Sequence, residues 1–236
     1  MKTVLHKAET RGSAEHEWLS TRYSFSFANY YNPARMNFGT LRVVNDDIIQ
    51  AAMGFGLHPH DNMEIITIPL EGALQHKDNM GHTEIIKQGD VQVMSAGTGL
   101  YHSEFNASKE DPVKLLQIWV YPKLKGVKPR YDQRTFLESE RKNKFQIIVS
   151  PDSAEALQIN QDAWFTRIDL DENKEAVYSL KKEGNGIYFF VIEGAVALNG
   201  EILQKRDALG VSECNEVKIE SKSNLKLLIM EIPMKN

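Results

Sequence analysis

The sequence predicts an all-β protein organised as two tandem β-barrels. Three observations predict it. Short apolar runs are broken by turn residues roughly every 8–12 positions, the pattern of a sandwich or barrel. Asn199-Gly200 lies between two apolar runs, a pair suited to the positive φ angles of a tight hairpin. An ordered set of motifs occurs twice along the chain, and internal repeats set architecture.

The elements follow in chain order. Tyr23-Ser-Phe-Ser-Phe27 alternates aromatic and small residues at period two and reads as a strand, as does Val91-Gln-Val-Met94. Apolar runs at Ile65-Ile66, Leu115-Leu116, 147–149, 187–192 and 227–229 read as further strands. Asn45-Asp46-Asp47, Glu71-Gly72, Gly89-Asp90 and Asn199-Gly200 read as turns between them. Residues 135–142 read as one short helix, and no long amphipathic helix is evident.

The first copy of the repeat holds Glu71-Gly72-Ala73, then Gln88-Gly89-Asp90, then LLQIWVYP at 115–122. The second holds Glu193-Gly194-Ala195, then Lys205-Arg206-Asp207, then KLLIMEIP at 226–233. Between the copies, residues 123–144 are dense in charge and poor in apolar side chains, a linker composition. The expected division is an amino-terminal barrel at 1–123, a linker or crossover at 124–144 and a second barrel at 145–236.

Composition narrows the function. The 236 residues include 28 Lys+Arg and 32 Asp+Glu, a net charge of −4, with 42% hydrophobic residues. Enough apolar surface is present for a core, so disorder is excluded as the main state. An acidic chain with no large basic patch is a poor binder of nucleic-acid phosphate. The single cysteine, Cys214, rules out an internal disulfide and cysteine-rich zinc sites. No cationic neighbour in sequence activates it. With no signal-like segment and no apolar run of membrane length, a cytoplasmic protein without a membrane partner is expected.

All seven histidines lie at or before residue 102. His58-Pro59-His60 is an H-x-H, and in a strand residues i and i+2 project from one face. His102-Ser103-Glu104 obeys the same logic 42 residues after His60. If the two strands pair with these faces inward, three imidazoles and one carboxylate converge as an N₃O site for one divalent first-row metal. Four protein ligands leave coordination positions open for substrate or O₂, the mark of a reactive centre. At the matching offsets from Gly194 the second barrel has Leu180 and Lys182, so no metal is expected there. His6 and His16 are expected at the surface, and His76 and His82 in a solvated hairpin loop. Gln117, polar within an apolar strand, faces either the interior or solvent.

The segment from Gly56 through His58-Pro-His60 to Glu64 and Gly72 resembles the first cupin motif. Gly89-Asp90 through Gly97-Thr-Gly99 to His102 resembles the second, with Ser95 where Pro is usual and a longer spacing to the histidine. Further matches are Phe25-Ser-Phe-Ala28, Asn32-Pro-Ala-Arg35, Met94-Ser-Ala-Gly97 and His102-Ser-Glu-Phe-Asn106. Together they resemble the pirin family of bicupins, densely over residues 20–120 and thinly beyond. The resemblance implies two jelly-roll-like cupin barrels, with one metal in the first held by His58, His60, His102 and Glu104. A generic cupin pattern would make Glu64 the carboxylate ligand. Both glutamates have even parity with their histidine, so periodicity does not decide, and the resemblance favours Glu104.

For the family, the metal is usually iron, here Fe(II), with Zn, Mn, Ni, Co or Cu also compatible with the ligands. Some members are quercetin 2,3-dioxygenases, which open the heterocycle of a flavonol with O₂. Others act as regulators through a protein partner. The resemblance therefore implies a metal-dependent dioxygenase of flavonol-like aromatics, with Glu104 as ligand and general base. A metal- and redox-dependent regulatory module is the alternative, and a different cupin oxygenation or isomerisation a weaker third. Phe25, Phe27, Met53, Phe55 and Trp119 are the candidates for an apolar wall around the substrate.

Overall fold

The structure is a computed structural model, and it describes residues 1–235. The chain is nearly all β, with only two single-turn 3₁₀ segments, Ala8–Thr10 and Glu138–Glu140, among the described residues. Each half is a seven-stranded sheet facing a four-stranded one, the two-barrel cupin architecture. Among the described residues no helix is long and apolar enough to cross a membrane.

In the first barrel the large sheet runs Arg130–Thr135, Asp90–Ser95, Glu64–Glu71, Val113–Val120, Leu41–Ile49, Leu19–Tyr23, Gly12–Glu15. The small sheet runs Gly54–His60, Leu100–Asn106, Ala73–Asp78, Thr83–Lys87. The repeat motifs fall at equivalent turns: Gly72 and Gly194 both have positive φ, at 76° and 86°. Gly89 (φ 95°) has Arg206 (φ 69°) as its counterpart, a side chain held in the left-handed region that usually selects glycine. Asn199 (φ 47°) and Gly200 (φ 91°) close a hairpin, as expected.

One apolar cluster joins the barrels. Leu41, Ile66, Leu116 and Ile118 of the first pack with Phe165, Tyr188, Leu228 and Met230 of the second. This explains why Val113–Val120 is apolar at nearly every position. Its even-numbered residues face the neighbouring barrel, while Leu115, Gln117 and Trp119 face a cavity in their own.

Several expectations are corrected. The strand Leu19–Tyr23 ends where one was expected to begin, and residues 24–27 are irregular. Asn45-Asp46-Asp47 is not a turn, because Leu41–Ile49 runs straight through it with Asn45 and Asp47 buried. Residues 135–142 form no α-helix. Thr135 ends a strand, and only Glu138–Glu140 makes a turn.

The boundaries are crossed twice. Residues 130–135, expected as linker, pair with Asp90–Ser95 and complete the first barrel. Lys2–His6, expected in the first barrel, pairs with Ala208–Ser212 at the edge of the second. His6 is consequently buried, at 4% exposure, with Nδ1 2.8 Å from the Tyr188 hydroxyl. Burial drives its pKa down to about 4. Nothing within so short a segment marks a partner so far along the chain.

Candidate metal centre

The strands Gly54–His60 and Leu100–Asn106 pair antiparallel with His102 opposite His58, the arrangement the two i, i+2 motifs require. A register shift between His102 and Glu104 advances the glutamate, which stands opposite Phe55. Ligand atoms of His58, His60 and His102 lie within 4.8 Å of one another. Glu104 joins this group through His102: the set His76, His102 and Glu104 also falls within 4.8 Å. Glu104, His58 and His60 line one cavity of about 450 Å³.

The hydrogen-bond pattern assigns the tautomers. Nδ1 of His58 donates to the carbonyl of Gly56 at 2.7 Å, which leaves Nε2 free. Gln92 Nε2 donates to His76 Nδ1 at 3.1 Å, so His76 carries its proton on Nε2, 3.2 Å from Asp78 Oδ2. His102 Nδ1, 3.4 Å from His76 Nδ1, is then the donor of that pair. Nε2 of His102 is left buried without a hydrogen-bond partner. A buried orphan nitrogen beside two other imidazoles is what a metal ligand looks like before the ion is counted. The donor set fits a divalent first-row cation.

Electrostatics agree with that chemistry. Burial, reinforced by the neighbouring imidazoles, lowers His102 to about 2, and burial with His58 lowers His60 to about 4. Both rings are thus neutral near pH 7, the form that donates a lone pair. Glu104 is pushed up to about 7 by burial, against the favourable hydrogen bond from Gln117 Nε2, 3.0 Å from Oε2. Gln117 in turn accepts from the Thr67 hydroxyl at 2.9 Å, so it faces the interior. Glu64 lies elsewhere: its Oε2 accepts from Ser95 Oγ at 2.8 Å and from the Asn160 backbone N–H at 3.1 Å.

The cavity is walled by aromatic rings. Trp18 and Phe55 meet edge to face at 5.1 Å, as do Phe27 and Trp119 at 5.3 Å. Of the expected wall, Phe27, Phe55 and Trp119 line it. Phe25 belongs instead to the core between barrels, and Met53 is 43% exposed. His76 is not a loop residue but fully buried on Ala73–Asp78, and His82 is half-buried with Nδ1 2.8 Å from Asp78 Oδ2.

Sequence reasoning missed Trp18, Asn45 and Asp47, all on the cavity wall. The signal was present: Asn45 and Asp47 share parity with Ile49, as Gln117 shares parity with Leu115 and Trp119. Across the sheet Gln117 pairs with Asn45 and Leu115 with Asp47. Burial raises the Asp47 carboxyl to about 7.

The two facing strands approach closely at Gly54, where an added Cβ would overlap the carbonyl oxygen of Glu104. Gly54→Ala should therefore push the H-x-H strand outward. The expected loss is about 1–3 kcal/mol of stability, together with weaker metal binding, read by denaturant midpoint and metal titration. Wild-type values for both would show that the approach is not needed.

Comparison with known proteins returns the same architecture. The pirin family model matches residues 4–120, and the model of the quercetinase C-terminal cupin domain matches residues 147–232. The chain is 40% identical over 230 residues to a quercetin 2,3-dioxygenase of Escherichia coli K12, covering 97% of this chain and 98% of that protein. It is 39% identical over 222 residues to a pirin-like protein of Caulobacter vibrioides, covering 93% and 95%. The crystal structure of bacterial pirin YhhW from Escherichia coli in complex with nickel(II) superposes with a TM-score of 0.93 at 39% identity, covering 98% and 99%. A quercetin 2,3-dioxygenase from Acinetobacter baumannii, at 20% identity and TM-score 0.77, shares the fold.

Proposed function

Because the chain belongs to the pirin family, we propose that it is a metal-dependent dioxygenase that opens the heterocycle of a flavonol such as quercetin with O₂. The observation that carries this reading is the cluster of three imidazoles, His58, His60 and His102, beside the buried Glu104 carboxyl, next to a cavity walled by Trp18, Phe27, Phe55 and Trp119. The relatives named quercetin 2,3-dioxygenase support it.

His58, His60, His102 and Glu104 would hold the metal, with Fe(II) the expected ion and nickel supported by the YhhW complex. When bound it supplies Lewis acidity to an enolised hydroxyl and a path for electrons to O₂. The chain's own residues do the rest. The two edge-to-face aromatic pairs enclose a planar ring system and exclude water. Glu104, with a pKa near 7, accepts the proton of the substrate's 3-hydroxyl at a carboxylate oxygen, while Gln117 holds that carboxylate in place. Asn45 and Asp47 stand on the cavity wall and offer polar groups to hydroxyls at the substrate periphery. The second barrel, its interior filled by residues such as Ile187, Phe189 and Ile219, serves as a support packed against the first.

The test is quercetin turnover by protein loaded with Fe(II) or Ni(II), following O₂ uptake and carbon monoxide release. One carbon monoxide per O₂ consumed is the expected result. Absence of turnover with every metal that binds would overturn the dioxygenase reading in favour of a regulatory module.

A further inference from the structure

A second cavity, of about 650 Å³, lies where the two barrels meet and shares no lining residue with the metal cavity. Its wall is cationic. Six basic side chains line it against three glutamates, and each glutamate is already taken. Lys114 pairs with Glu71 at 2.6 Å, Lys205 with Glu193 at 2.8 Å and Lys226 with Glu138 at 2.7 Å. Three arginines remain. Arg141 gives Nε to Asp169 at 3.0 Å, and Arg206 gives Nε to Asp46 at 3.3 Å.

Arg167 is different. It stands in the middle of Trp164–Leu170, between two hydrogen-bonded neighbours, and is only 5% exposed. Its guanidinium makes no hydrogen bond or ion pair among the described residues, and its Nε is buried without a partner. Nη1 of Arg206, on the same cavity, is likewise buried and unpartnered. Burial, helped by the Arg141 charge and opposed by the Asp169 and Glu138 carboxylates, pulls Arg167 down to about 10, so it keeps its proton at neutral pH. A buried cation without a bonded counter-ion is costly to keep, and a planar fork of N–H donors matches the oxygens of a phosphate.

We propose that the inter-barrel cavity is an anion site in which Arg167 and Arg206 grip a phosphate group, either free phosphate or the phosphoryl group of a small metabolite. Both arginines come from the second barrel, and with six basic side chains against three glutamates the cavity lining keeps a positive excess that favours an anion. The sequence motif Lys205-Arg206-Asp207, which stands where the first barrel has Gln88-Gly89-Asp90, thereby acquires a role: Arg206 delivers a side chain from a turn that glycine would leave bare.

The experiment is a thermal-shift and calorimetric titration of the full chain with inorganic phosphate and with glycerol phosphate, against sodium chloride at equal ionic strength. A saturable rise in Tm of about 3 °C near ~10 mM phosphate is expected for the wild type. Arg167→Met should lose the response while folding normally, since it removes a buried charge that has no bonded counter-ion and leaves quercetin turnover unchanged. Arg167→Lys, which keeps the charge but not the fork, should weaken binding about tenfold. Tighter binding of glycerol phosphate would assign the site to a phosphorylated metabolite, and equal binding to free phosphate. No response beyond that to chloride, or an undiminished response in both variants, would overturn the proposal.

Discussion

His102→Ala is expected to abolish metal binding and to lower flavonol turnover by at least ~1,000-fold, the range seen when a group central to the chemistry is removed. The imidazole is 1% exposed and lies at the junction of both candidate ligand sets. Its Nδ1 is held by His76, itself fixed by Asp78 and Gln92, so the ring is oriented before any ion arrives. Removing it leaves His58 and His60 on a single strand and takes away the ring shared by the two candidate ligand sets. The cost in folding should be modest, about 1–3 kcal/mol, from the packing lost around a buried ring, since His76 keeps its bonds to Gln92 and Asp78. Metal content per chain after dialysis, with circular dichroism as the check on folding, reads the outcome. Full occupancy in the variant would remove His102 from the site.

Glu104→Gln should lower turnover about 100- to 10,000-fold, the span of a lost general base. It should also change how metal affinity depends on pH. In the metal-free protein the Glu104 carboxyl titrates near 7, so below that pH an incoming cation must displace its proton. Apparent affinity should therefore climb about tenfold per pH unit below 7 and level off above it. The glutamine variant has no such proton to lose, and its affinity should be flatter with pH. For stability the sign is reversed. The folded-state pKa is raised above the unfolded value, so the carboxyl favours the folded state at low pH and that advantage is lost as pH rises through about 7. Metal titrations and denaturant midpoints at pH 6, 7 and 8 test both. Parallel curves for wild type and variant would show that Glu104 is not the titrating group.

Much of this site was legible because metal chemistry needs few residue types and strand geometry has a period of two. His58, His60, His102 and Glu104 satisfy both constraints, and the strands that carry them do pair. The repeat announced two barrels because turns with positive φ demand particular residues, at Gly72 and Gly194 above all. What stayed hidden depends on distant partners. Asn45 and Asp47 looked like a turn because polar residues in a strand are unusual unless a cavity receives them. His76 looked solvated because its burial is decided by Asp78, Gln92 and His102 together. Lys2–His6 and residues 130–135 were placed with the wrong neighbours because short polar strands carry no mark of the edge they will join.

The pairing of Lys2–His6 with Ala208–Ser212 also orders events during synthesis. Lys2–His6 waits while about 200 further residues are made before the edge it pairs with exists. Contacts so far apart along the chain close slowly. The second barrel takes its edge strand from far upstream in the chain, so Lys2–His6 is locked down only once Ala208–Ser212 is in place.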